Sequence, residues 1–217
     1  MNRVLHWQTV DPILLRSLHV LMKADEFMPF RLVGGTSLSL QLGHRISVDI
    51  DLFTDAAYGT INFETIDHFL TLQFPYIDAS FSVLPGMGRS YIIGNNKDEA
   101  IKLDVYYTDT FIQPPLIIEN VRMATIEEII AMKVDVLTRG GRKKDFWDLH
   151  ELMEKYSIAQ MIALHKVRYP YGHNETSILS CFADFTNADD DFEPICQRGK
   201  HWEIVKLDFI EGIENME

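Results

Sequence analysis

The chain has 217 residues, 47% of them hydrophobic, and a formal net charge of −12 at pH 7. That is enough apolar material to bury a core without staples, and the two cysteines, Cys181 and Cys196, lack the CxxC spacing of a cysteine-rich scaffold or a cysteine-based zinc site. No run of about 18 apolar residues and no signal-peptide pattern occur, so a cytoplasmic protein without membrane contact is expected, one that nucleic acid repels on average.

In chain order, apolar Ile13, Leu14, Leu18, Leu21 and Met22 recur at helical spacing and predict a helix from Asp11 to Ala24. Phe30 to Val33 reads as a short strand ended by Gly34-Gly35. A short helix from Thr36 to Leu42 follows and stops at Gly43. Val48-Asp49-Ile50-Asp51-Leu52-Phe53 alternates polar and apolar residues, the mark of a strand with one buried face. A helix from Glu64 to Gln73 precedes strand-like segments at Ser80 to Leu84, Arg89 to Gly94 and Glu99 to Tyr107. An extended piece, Leu116 to Met123, leads into helices at Ile126 to Thr138 and Lys144 to Tyr156, and Trp202 to Ile213 has helical character. Strands and helices mix without regular alternation, so an α+β fold with a mixed sheet is expected.

Residues two apart on a strand point the same way, so Asp49 and Asp51 project together, with Val48, Ile50 and Leu52 toward the core. Two adjacent carboxylates repel each other unless a cation lies between them, and an all-oxygen site suits a hard ion such as Mg²⁺ (or Mn²⁺). Ile101-Lys102-Leu103-Asp104-Val105 repeats the pattern, with Lys102 and Asp104 on the polar face. Were that strand to lie beside the first, three carboxylates would meet, as metal-assisted phosphoryl chemistry requires. Upstream, Gly34-Gly35-Thr36-Ser37 sits between a strand and a helix, where glycines allow a phosphate close to the backbone and the helix start favours an anion. Arg45 and Ser47, at the parity of Asp49 and Asp51, would add a cation and a hydroxyl to that face.

Gly34-Gly35-Thr36-Ser37-Leu38 followed by Arg45-Ile46-Ser47-Val48-Asp49-Ile50-Asp51-Leu52-Phe53 resembles the signature of DNA polymerase β-like nucleotidyltransferases, and more narrowly that of the AbiEii/AbiGii toxin family. Lys133, the run Arg139 to Leu149 and Trp202 to Lys206 look like later motifs of the same family. The resemblance implies metal-dependent transfer of a nucleotide from a nucleoside triphosphate, with Gly34, Gly35, Thr36, Ser37, Arg45, Ser47 and Lys133 at the nucleotide and Asp49, Asp51 and Asp104 at the metal. An acceptor such as tRNA and a cognate antitoxin would be the partners of a toxin of this kind. A different class of reading is a catalytically silent nucleotide- or partner-binding module on the same fold.

In the helical half, Thr125-Ile126-Glu127-Glu128 is a capping-box pattern, and Ile126, Ile129, Ile130 and Leu137 form an apolar stripe with Lys133 in its middle. A lysine there either snorkels to solvent or meets an anion inward. Asp145 is either an acid complementing the start of its helix or an inward-facing partner. The resemblance implies that Lys133 binds triphosphate and that Asp145 assists catalysis or holds Lys133. The basic run Arg139-Gly140-Gly141-Arg142-Lys143-Lys144 is where a polyanion would touch. A palm-like domain over residues 1–123 and a helical part over 124–217 that closes over the site are therefore expected.

Overall fold

The structure, a computed structural model, describes residues 4–80 and 86–216. Its elements in chain order are α1 (Pro12–Lys23), β1 (Arg31–Leu32), α2 (Gly34–Leu42), β2 (Asp49–Thr54), α3 (Phe63–Gln73), β3 (Tyr76–Ser80), β4 (Gly88–Gly94), β5 (Ala100–Tyr107), β6 (Leu116–Ile118) and β7 (Val121–Met123). Helices then dominate: α4 (Ile126–Leu137), α5 (Lys143–Leu152), α6 (Ile158–Arg168), α7 (Glu175–Cys181), α8 (Thr186–Asp189) and α9 (Trp202–Glu214). The chain divides into two compact units. One takes residues 1–42, 47–110 and 114–124; the other takes 43–46, 111–113 and 125–217.

The first unit is a seven-stranded sheet among the described residues, in the order β3-β4-β5-β2-β1-β7-β6. β2 runs parallel to β5 and β1 parallel to β7, while the other neighbours are antiparallel, so the sheet is mixed as expected. Strict alternation builds its core. Ile50 and Leu52 of β2 and Leu103 and Val105 of β5 are fully buried, and Leu14, Leu18 and Leu21 of α1 join the same cluster. Asp11 caps α1, its carboxylate accepting from the Leu14 N–H at 2.7 Å. Val48 departs from expectation. It precedes β2 and is 55% exposed, because the strand begins one residue later. Most of the strand expected at 80–84 lies outside the described residues, and the strand that is present, β3, precedes it.

The second unit is helical. Ile129, Ile130 and Leu137 of α4 are buried as the stripe predicts. Phe146 of α5 meets Phe209 of α9 edge-to-face at 5.6 Å, and Trp147 stacks on Trp202 at 6.4 Å. Thr125 caps α4 by accepting from the Glu128 N–H, yet Glu128 does not complete the expected box. Its carboxylate is buried and instead accepts from Arg168 Nη1 at 2.5 Å and from the Gln113 N–H at 2.6 Å. A pair so completely removed from water requires this full set of partners.

Candidate active site

On the sheet unit the polar face of β2 and β5 carries the acidic residues. The parallel register sets Asp49 opposite Lys102 and Asp51 opposite Asp104, which is the adjacency the alternating patterns anticipate. Lys102 Nζ donates to Asp104 Oδ2 at 2.6 Å, while Asp104 Oδ1 is buried without a hydrogen-bond partner among the described residues. Partial burial works against the Lys102 charge. The hydrogen bond to Asp104 and the fields of Asp104, Asp51 and Asp49 outweigh that burial and hold the ammonium above its ordinary pKa.

The glycine pair is tied to this face. Gly34 opens α2 with φ +66°, and a Cβ added to it would run into the Asp51 carboxylate. Next to it, the Val33 N–H donates to the Asp51 carbonyl at 2.9 Å. Gly35 follows in the first turn of α2. The hydroxyls of Thr36 and Ser37 are turned into the fold rather than outward. Thr36 Oγ1 lies 2.8 Å from Ser47 Oγ and bonds the Asp49 carbonyl, and Ser37 Oγ accepts from Gln41 Nε2 at 3.2 Å. These contacts pin the approach to β2, and Thr36 holds Asp49 through its backbone carbonyl.

Oxygen donors in neighbouring register positions and an orphaned carboxylate oxygen fit a hard divalent cation. Among the described residues no group of three or more His, Cys, Asp or Glu side chains is drawn together as a ready metal cage. Asp51 and Asp104 are register neighbours on the two strands, and the Lys102 ammonium lies on the same face.

A second polar cluster is built wholly within the helical unit. Lys133 Nζ of α4 contacts Asp145 Oδ1 at 2.5 Å and Asp148 Oδ2 at 2.8 Å, both on α5. Asp148 also accepts from Arg45 Nε at 2.6 Å and Nη2 at 2.9 Å, and its Oδ1 lies 2.8 Å from His44 Nε2. All five residues are buried. Lys133 therefore turns inward rather than snorkelling. Asp145 serves both expected roles, since its other oxygen accepts from the Arg142 N–H at 3.0 Å at the start of α5. Burial opposes the charge on Lys133, but Asp145 and Asp148 raise its pKa above the ordinary value. Burial would raise the Asp148 carboxyl, yet Arg45 and Lys133 hold it well below the usual carboxylate range.

Arg45 corrects the parity argument. Residues 45–48 precede β2, and Arg45 instead forms an isolated antiparallel bridge with Cys196 and gives its guanidinium to Asp148. The basic run is likewise largely engaged. Arg139 pairs with Asp135 at 2.5 Å, Arg142 makes a two-pronged contact with Asp191, and buried Lys143 reaches the Asp189 carbonyl at 3.4 Å. Two residues gain weight that the sequence did not give them: Asp148, the hub of the buried cluster, and Lys102, the cation of the acidic face. Asp148 follows Asp145 at helical spacing, which is the signal that puts both on the side facing Lys133.

No helix of the described residues is long and apolar enough to cross a membrane. The search of curated proteins returns no match. Among solved structures, the chain is similar to JHP933 from Helicobacter pylori at 19% identity and a TM-score of 0.60, covering 94% of this chain and 88% of that one. It is also similar to MenT4, a nucleotidyltransferase toxin from Mycobacterium tuberculosis H37Rv, at 16% identity and a TM-score of 0.55, covering 94% and 83%. At such identities these likenesses establish the fold, an α+β nucleotidyltransferase fold. The family model described as "Nucleotidyl transferase AbiEii toxin, Type IV TA system" matches residues 16–193, most of the chain. The chain therefore belongs to the AbiEii toxin family of type IV toxin–antitoxin systems and is a nucleotidyltransferase.

Proposed function

We propose that the protein moves a nucleotide from a nucleoside triphosphate to an RNA acceptor, tRNA in particular, with Mg²⁺ (or Mn²⁺) held by Asp49, Asp51 and Asp104. The observation that carries this reading is the register pairing of Asp51 with Asp104, together with an Asp104 Oδ1 that is buried and has no hydrogen-bond partner among the described residues. When bound, such an ion neutralises triphosphate charge and activates the attacking hydroxyl. The chain's own part is positioning. Gly34 and Gly35 admit phosphate oxygens to the backbone beside Asp51, and the first N–H groups of α2 favour their negative charge. Within the helical unit, the ion pair of Lys133 with Asp145 supports the part that the family resemblance gives Asp145, that of holding Lys133. Membership of a toxin family supports an acceptor whose modification harms the cell, and a cognate antitoxin as partner.

The test is incubation with each labelled nucleoside triphosphate, Mg²⁺ and total cellular RNA. Label in tRNA-sized RNA that disappears in Asp51→Asn is expected. Nucleotide binding with no transfer to RNA, protein or small molecules would favour the catalytically silent module instead.

A further inference from the structure

We propose that Lys102 is a tethered stand-in for the metal ion: its ammonium holds Asp104 in the metal-free protein and leaves it when a divalent ion binds. The inference rests on the reading of Asp49, Asp51 and Asp104 as metal ligands. Lys102 lies opposite Asp49 in the β2–β5 register and two residues before Asp104 on the same strand face. Its Nζ bonds one oxygen of Asp104 at 2.6 Å, and the other, buried oxygen meets no hydrogen-bond partner among the described residues. A monovalent cation thus satisfies half of a carboxylate on a face that carries three.

Exposure decides whether such a pair can come apart. The Lys102 side chain is 48% exposed, so its ammonium can exchange Asp104 for water at small cost. Lys133, by contrast, is 9% exposed and bonded to two carboxylates, an arrangement that holds it in place. In the metal-free state Lys102 relieves repulsion among the acidic side chains. When a divalent ion takes Asp104 Oδ1 and the neighbouring carboxylates, its charge repels the ammonium held on Oδ2 of the same side chain and drives it toward water. Repulsion on the face is thereby eased without metal, and free metal competes against a resident charge.

The experiment compares Mn²⁺ binding, measured by electron paramagnetic resonance, in metal-free wild type, Lys102→Met, Lys102→Gln and Asp51→Asn, together with melting temperatures without metal. Lys102→Met should bind Mn²⁺ about tenfold more tightly, the scale on which one neighbouring charge shifts the balance at a carboxylate. The metal-free variant should melt slightly below wild type and gain more stability than wild type on adding Mn²⁺. Lys102→Gln serves the same comparison should the Met variant fail to fold. Equal or weaker Mn²⁺ binding in the Lys102 variants, with binding that still depends on Asp51, would overturn the stand-in role and leave the metal site intact. Binding that does not depend on Asp51 at all would overturn the metal reading, and this inference with it.

Discussion

Two lysines of this chain pair with aspartates at almost the same distance, Lys102 with Asp104 at 2.6 Å and Lys133 with Asp145 at 2.5 Å, and they do different work. On the sheet, the pair is partly open to water and one carboxylate oxygen is left over. In the helical unit, Lys133, Asp145, Asp148, Arg45 and His44 are all buried, and each carboxylate there meets at least two donors. The charges are alike; the solvation differs. Where water can replace a partner, an ion pair contributes little to stability and stays available for chemistry. Where it cannot, the partners become mutually indispensable.

The strongest test of that contrast is Asp148→Asn, which removes the buried carboxylate charge shared by Lys133 and Arg45. It should lower stability by about 3–5 kcal/mol in chemical denaturation. Because Asp148 titrates below its unfolded value, its contribution is present at neutral pH and is lost as pH falls below about 4. Lys133, raised above its unfolded value, contributes fully below about pH 10 and loses that contribution as pH climbs further. Wild type should therefore be stable across the intervening range, and Asp148→Asn should show a shallower loss on the acid side.

Asp51→Asn is the counterpart on the sheet. Nucleotide transfer should fall by about 10²–10³-fold, the usual consequence of removing one charge-stabilising group. Its melting temperature should hold or rise, since a repelling carboxylate is gone. A large loss of stability in this variant would erase the distinction between the two regions. Gly34→Ala combines a backbone angle that disfavours Cβ with a collision against Asp51, and should cost about 1–3 kcal/mol in thermal melting. Arg142→Ser removes an exposed pair with Asp191, the Arg142 side chain being 56% exposed, and should change stability by less than about 1 kcal/mol.

The strands that carry Asp49, Asp51 and Asp104 were legible because period-two alternation is local, and each strand displays it within six to eight residues. Their side-by-side placement was an expectation that the register bears out. Lys133 was legible as an anomaly on an apolar stripe, though not the identity of its second partner. What the sequence hid is set by distant contacts. Arg45 has strand parity on paper, but its bridge to Cys196 and its bonds to Asp148 join residues about a hundred or more positions away in sequence. Glu128 fits a capping box until Arg168 and Gln113 claim its carboxylate. The helices α6, α7 and α8 are 11, 7 and 4 residues long, and the shorter two carry too few turns for periodicity to register.

The passage of the chain between its two units governs how the gene can be divided. Residues 43–46 and 111–113 are encoded amid the sheet unit yet belong to the helical one. A fragment beginning at Thr125 would lack His44, Arg45 and Gln113, leaving Asp148 without its guanidinium and Glu128 without its backbone donor. Recombination that swapped the helical half alone would import carboxylates whose partners stayed behind in the other parent. The two halves are thus constrained to be inherited together.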